Sequence, residues 1–525
     1  MNLRGVVSKA LCAAGVAVLF GTVPGAWADT EFNIYTNDLG LEGAAGTNGT
    51  VGSPTRLGGM DLNPGKTGQF LWGTYYDVRP IVNGNTGQSD AQDTNIQILN
   101  TNTNNPADPN YDPNGGIIAR LRFRESKTSR EVLDFDIILS CAEVWTAKVE
   151  LSGNLPRIVS ADPIRTGFTA ATFTTSQALL GGRSFVRPAG LTDADIQRGY
   201  FEVIAEEGLP CEPIDGQVDR TGDVWNRVAE KDYASPTNAL AAEVILIRVA
   251  AGVSYIYNAE AVSRYVMPAG VAGGSVWFPP GSGLPTLENC VSADNGIPTF
   301  LPLGADCTNQ MNFILSKSRV MAQYDINPGI GGSTRVVFTL PTKHLKCSLN
   351  GGQTDFNGVP KPPFSCQGAN SGGAIGGEQI GCVPYNRIED FVEGDDIFSP
   401  GETSVCRLPR ELSIVGIVAD DSPSSQSVSS TVDEFINVTG IPREHFAGWV
   451  DFNLFTDPAV ASQIHEQTLL NPDVTNLLGL GFTGYRGLPA LTLILQEYFN
   501  GNVGGVYGGA VPAPYEVQLI KPGQS

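Results

Sequence analysis

Apolar and polar residues alternate with a period of two along much of this chain. In residues 117–124, Ile117, Ala119, Leu121 and Phe123 fall on one face, and Ile118, Arg120, Arg122 and Arg124 on the other. An extended strand produces this pattern, whereas a helix would scatter the same residues around its axis. Residues 132–139 repeat it, with Leu133, Phe135, Ile137 and Leu139 inward and Asp134 and Asp136 outward, after a turn-like stretch at 125–130. Paired as an antiparallel hairpin, the two runs set arginines against aspartates on a solvated surface. The same residues admit two other readings, an anion site at Arg120, Arg122 and Arg124 or a carboxylate pair at Asp134 and Asp136. Alternating charge on one sheet face is ordinary half-buried patterning, and that is the reading followed.

Further strands are expected at residues 69–79, 95–99, 144–149 and 199–205, with Trp145, Ala147 and Val149 on the core side. Residues 243–257 read as a hairpin around Ala250, Ala251 and Gly252. Residues 319–326, 334–340, 412–418, 448–455 and 491–499 continue the pattern, while 310–324 is also compatible with a helix. Short strands with frequent turns predict a mainly β protein of two antiparallel, Ig-like β-sandwich domains with long loops. The boundaries expected are 29–66 as an extended Gly/Asn/Thr-rich segment, 67–265 as the first sandwich, 266–308 as the connection and 309–525 as the second sandwich. Residues 343–410, rich in Gly, Pro and Ser, read as a disulfide-stapled excursion without a core of its own.

Residues 1–28 have the form of a signal peptide. Arg4 and Lys9 precede an apolar run over 10–20, and Ala26, Trp27 and Ala28 fit the small-x-small rule for cleavage. The run is short of the roughly 20 residues that a spanning helix needs. Leu11 before Cys12 departs from a lipoprotein signal. The expectation is therefore an exported chain, extracellular or at the outer cell surface or in the periplasm, without a transmembrane span in its mature part. With 54 acidic and 33 basic residues the net charge is -21, the wrong sign for a nucleic-acid partner.

Nine cysteines less Cys12 leave 9 - 1 = 8: Cys141, Cys211, Cys290, Cys307, Cys347, Cys366, Cys382 and Cys406. An even number in an exported chain points to disulfides, and the absence of C-x2-C spacing and of C-x-x-C-H argues against zinc and covalent haem. Sequence leaves the pairing open. Proximity favours Cys290 with Cys307, and the last four cysteines among themselves.

Catalytic signatures are sparse. His344, His445 and His465 are the histidines; His465-Glu466 begins like a zincin motif, but Leu469 stands where its second histidine belongs. There is no G-x-S-x-G elbow, and Gly65-Lys66-Thr67 lacks the earlier glycine of a phosphate loop, with Met60 in that place. Acidic pairs at Glu206 and Glu207, Asp395 and Asp396, and Asp420 and Asp421 offer carboxylates without a supporting motif. The best-spaced oxygen ligands are Asp108, Asn110, Asp112 and Asn114, a candidate calcium loop, although Pro113 and Ala119 depart from the EF-hand pattern. An Asx-Pro turn is the competing reading of that loop.

At Tyr75-Tyr76-Asp77-Val78-Arg79, Arg122-Phe123-Arg124-Glu125, Leu133-Asp134-Phe135-Asp136-Ile137 and Val144-Trp145-Thr146-Ala147, the chain resembles a group of uncharacterised exported proteobacterial surface-type β proteins. Residues 199–204, 338–343 and 487–490 look like later landmarks of the same group. The resemblance implies export and β architecture and carries no functional residues. The function expected is a non-catalytic surface or extracellular structural protein, self-associating or joined to other surface components. The alternatives are a glycan- or calcium-binding adhesin-like protein, with Trp72, Tyr75 and Tyr76 as exposed aromatics, and an exported hydrolase.

Overall fold

A computed structural model describes residues 61–82, 89–209, 211, 225–226, 236–265, 307–366, 377–387, 405–419, 435–455, 465–468, 484–500 and 505–520, apart from short breaks within these ranges. The chain is mainly β, as the alternation predicts. In the N-terminal half, a nine-stranded antiparallel sheet runs in the order Asp61–Leu62, Glu260–Ser263, Phe70–Asp77, Arg198–Leu209, Gly116–Glu125, Glu131–Leu139, Ile164–Thr169, Thr172–Ser176 and Trp225–Asn226. A six-stranded sheet, with Gln92–Asn100 between Val144–Ser152 and Leu240–Arg248, packs on it. Ile117, Leu121 and Phe123 meet Ile96, Ile98, Trp145 and Val149 in the core between them. Each of these side chains lies on the face that its parity assigns.

Two five-stranded sheets build the C-terminal half. One runs Val405–Leu408, Glu378–Asn386, Ala447–Asn453, Arg319–Asp325 and Tyr515–Glu516. The other runs Phe435–Ile441, Leu412–Ala419, Ser333–Thr339, Leu491–Asn500 and Gly505–Pro512, its first pair being parallel. The segment ahead of them contains the Cys307–Leu315 helix followed by strands, so the helical alternative applies only to its first turns.

The second of these sheets is apolar on both faces. Val336, Phe338, Val415, Ile417 and Ile494 pack toward the first sheet of their own half. Val337, Leu412, Ile414, Leu493 and Leu495 belong instead to the core of the N-terminal half. A strand covered on both sides needs no polar face, which explains why Leu491, Leu493, Ile494 and Leu495 form a nearly unbroken apolar run. The two halves therefore meet at this sheet, which gives one face to each core. Polar bonds fix the junction: Thr339 Oγ1 donates to the Thr74 carbonyl at 2.8 Å and the Leu412 amide to the Ser126 carbonyl at 2.9 Å. Glu497 accepts from Arg335 at 2.7 Å and also pairs with Arg248. A Cβ at Gly508 would lie 2.7 to 2.9 Å from Val253, Tyr255 and Ser254, so a glycine there lets two sheet edges close on each other.

Residues 343–410 differ from the excursion expected. Glu378–Asn386 and Val405–Leu408 are neighbouring strands of a five-stranded sheet, and Cys347, Cys366, Cys382 and Cys406 are buried in its core. Pro384 conceals this in the sequence. Val405–Leu408 pairs only with residues 378–381, so beyond Gly381 one side of the longer strand is an edge with respect to it, where a proline removes no ladder bond. Cys347 bonds Cys366 and Cys382 bonds Cys406, within the group as expected, and Cys141 bonds Cys211. The expected partner of Cys307, Cys290, lies outside the described residues. So does the 29–66 segment up to residue 60; Asp61–Leu62 joins the nine-stranded sheet and Lys66 pairs with Glu260.

Candidate functional site

The densest set of charges sits on the face of the nine-stranded sheet turned away from its apolar core. The hairpin register places Arg120 opposite Asp136 and Arg122 opposite Asp134. The neighbouring strand adds Glu202 opposite Arg122, with Glu206 beyond it at a bulge. Arg120 Nε lies 3.0 Å from Asp136 and 3.4 Å from Glu206, with Asp134 at 3.9 Å from the same guanidinium. Arg124 donates to Glu202 at 2.7 Å and to the Ser129 carbonyl at 2.9 Å, and Arg122 lies 2.8 Å from Glu131.

The expected pairing is present, but the solvated surface is not. Arg120, Arg122, Arg124, Asp136, Glu202 and Glu206 are all buried, and only Asp134 and Glu131 reach water. Other parts of the chain cover this face, which local alternation cannot reveal. Burial disfavours the Arg120 cation, yet the Glu206 and Asp136 carboxylates outweigh it and hold its pKa above the ordinary value. Arg120 lies between carboxylates of both neighbouring strands, so the ladder clamps three strands. The anion-site reading meets guanidinium groups already engaged, and the carboxylate-pair reading meets two aspartates sharing one arginine.

A second buried cluster joins residues that no motif connects. Lys343 Nζ and Glu378 Oε1 are 3.1 Å apart with both side chains excluded from water, and Glu378 Oε2 accepts from the Ser365 amide at 2.7 Å. His465 Nδ1 lies 2.9 Å from the Pro363 carbonyl and Nε2 2.9 Å from that of Gln379. Both ring nitrogens thus face backbone carbonyl acceptors, with the ring 3.9 Å from Glu378. Burial pushes the Glu378 carboxyl upward, but Lys343 and His465 outweigh it and hold it below the usual range. His465 therefore serves to fasten the Cys366 loop to the sheet. His344 Nδ1 lies 3.3 Å from the buried Glu411, and His445 is outside the described residues.

The candidate calcium loop is folded as a turn. Asp112 Oδ1 accepts the Asn114 amide at 2.8 Å, its carbonyl accepts that of Gly115 at 2.9 Å, and the Tyr111 amide bonds the Asp108 carbonyl at 3.0 Å. This is the Asx-turn arrangement; Asp108, Asp112 and Asn114 are half-buried and Asn110 is outside the described residues. Among the described residues, no group of three or more His, Cys, Asp or Glu side chains is arranged to hold a metal ion.

Trp72, Tyr75 and Tyr76 are buried, which corrects their reading as exposed aromatics. Glu206 serves Arg120, while Asp395, Asp396, Asp420 and Asp421 lie outside the described residues. Sequence reasoning missed the link of Glu202 and Glu206 to the ladder and the meeting of Lys343, Glu378 and His465. The outward parity of Glu202 on the expected 199–205 strand, continued by Glu206 just beyond it, was the available signal for the first. Nothing local signals the second. No helix among the described residues is long and apolar enough to cross a membrane. No protein-family model matches the chain, no curated protein matches its sequence, and no solved structure matches it.

Proposed function

We propose that this is an exported, non-catalytic surface or extracellular structural protein, a rigid β scaffold that acts by association. The observation that carries the reading is the sheet whose two apolar faces belong to two cores. It joins both halves into one body, which suits a static, displaying role. The three disulfides among the described residues agree with an oxidising compartment. The buried acids and bases described above are engaged with one another across strands, a use that favours rigidity over turnover.

Self-association of so acidic a chain is opposed by its own charge, so screening or a divalent cation should promote it. The test is light scattering and electron microscopy of the purified protein in calcium, in chelator, and with Asp108→Ala plus Asp112→Ala, all at matched ionic strength. The same samples are assayed on polysaccharide, protein and ester substrates. Cation-promoted assemblies without turnover are expected. A monomer in every condition that turns over a polymeric substrate contradicts the reading, and a calcium response unchanged in the double variant removes the Asp108 loop from it.

A further inference from the structure

Lys343 and Glu378 differ from the other lysine–carboxylate contacts of the described residues. Lys66–Glu260, Lys127–Asp195 and Lys148–Glu150 all retain exposure, whereas both side chains of Lys343–Glu378 are wholly excluded from water. Their polar ends lie 3.1 Å apart, at angles that do not make a hydrogen bond, and Lys343 Nζ has no other acceptor among the described residues. The ring of buried Phe356 lies 4.9 Å from the same nitrogen.

The surroundings hold this approach in place. Lys343 opens the Lys343–Lys346 helix, which is closed at Cys347, and the Cys347–Cys366 disulfide fixes Ser365 beside it. The Ser365 amide donates to Glu378 Oε2 at 2.7 Å, and His465 stands 3.9 Å from that oxygen. One carboxyl oxygen is therefore held by a backbone donor, while the other faces the amine. In water a lysine and a carboxylate stay apart as hydrated ions. Burial removes the hydration that keeps them so, which favours a proton passing from Nζ to Oε1 to leave a neutral amine and a neutral carboxylic acid. Fixed juxtaposition of the two groups then replaces a bimolecular encounter.

We infer that Lys343 and Glu378 condense into an intramolecular amide, a covalent bond from the Lys343–Lys346 helix to the Glu378–Asn386 strand. The Nζ lone pair attacks the carboxyl carbon, and the carbonyl electron pair moves onto Oε2, where the Ser365 amide meets the developing charge. The nitrogen passes a second proton to Oε1. The bond from carbon to Oε1 then breaks with its electron pair, one water leaves, and the carbonyl re-forms at Oε2. An ammonium and a carboxylate thus become one neutral amide and one water, with no oxidant, reductant or cofactor, and no buried charge remains at the site. The ion pair is the state into which the chain folds, and Glu378 titrates as a carboxyl until the bond forms. The crosslink adds to the rigidity of the proposed scaffold, although its chemistry does not depend on association.

The test is intact mass and peptide mapping of the purified full chain, fully reduced and denatured so that disulfides join no peptides. Samples are taken at purification and after prolonged incubation at neutral pH. The expected result is a branched peptide joining the segments of Lys343 and Glu378, one water lighter than the two linear peptides together, with tandem mass spectrometry placing the bond at these two side chains. Lys343→Arg should abolish it, since a guanidinium keeps a cation beside Glu378 but offers no free amine. The measurement on the parent chain needs no variant, so the outcome is decided even if Lys343→Arg does not fold. Linear peptides alone at every time overturn the proposal, as does a loss of one water that persists in Lys343→Arg. Both outcomes leave the association and turnover experiments untouched, so this bond and the scaffold reading fail separately.

Discussion

Replacing Arg120 by methionine removes a cation from between two buried carboxylates while keeping much of the side-chain volume. Its Nε lies 3.0 Å from Asp136 and 3.4 Å from Glu206, residues only 4% and 1% exposed. At an effective dielectric of about 20, each attraction is worth about 5 kcal/mol before the cost of desolvating the ions is set against it. Removing one partner of such a cluster leaves uncompensated buried charge and costs about 3–5 kcal/mol. Asp134 provides the internal comparison: it is on the same strand and also near Arg120, but 3.9 Å away and 31% exposed. Asp134→Asn should cost about 0–1 kcal/mol, as exposed pairs do. Urea unfolding followed by intrinsic fluorescence measures both variants against the parent. If Arg120→Met falls within about 1 kcal/mol of the parent at unchanged m-value, the ladder is not the buried clamp argued for.

Burial pulls the Lys317 ammonium down to about 8, and the unfolded chain therefore binds more protons than the folded one between there and its ordinary value of about 10.4. Stability should rise with pH across that window, by about 3 kcal/mol in all, and Lys317→Met should flatten the rise; a chemical-denaturation series from pH 7 to about 10.5 reads it. Glu378 acts with the same sign in the acid range: its depressed carboxyl contributes stability above the ordinary carboxylate range that is lost as pH falls through the lowered value, so Glu378→Gln should weaken acid unfolding's dependence on pH. Opening the Cys141–Cys211 bond by paired alanine substitution, across a separation of 70 residues, should cost about 4 kcal/mol in urea. Gly448→Ala must push the Tyr385 strand away and should lower stability by about 1–3 kcal/mol, seen as a drop in thermal midpoint.

The strands and the hairpin register were legible because parity is a local property: Leu121 and Arg122 point oppositely whatever lies beyond them. Burial of the charged face was not, since it depends on what the rest of the chain lays over Arg120 and Arg124. Pro384 and Gly381 disguised a strand that pairs fully on one side and partly on the other. That Cys347, Cys366, Cys382 and Cys406 bond among themselves followed the proximity argument, which left their partners open, whereas Cys141 and Cys211 meet only through the fold. Tyr385 and Trp449 are likewise brought together by strand order, and neither was distinguishable in sequence from an ordinary strand aromatic. Leu491, Leu493, Ile494 and Leu495 did indicate a strand, while the assignment of its two faces to two different cores required the packing itself.

Differential scanning calorimetry of the purified, disulfide-intact protein tests the claim that both halves form one rigid body. A single transition with a calorimetric to van't Hoff enthalpy ratio of about 1 is the predicted result. Arg335→Met and Glu497→Gln at the junction should move that transition to lower temperature without splitting it. Two separate transitions in the parent protein, only one of them shifted by these substitutions, would contradict the shared sheet as a junction and with it the scaffold reading.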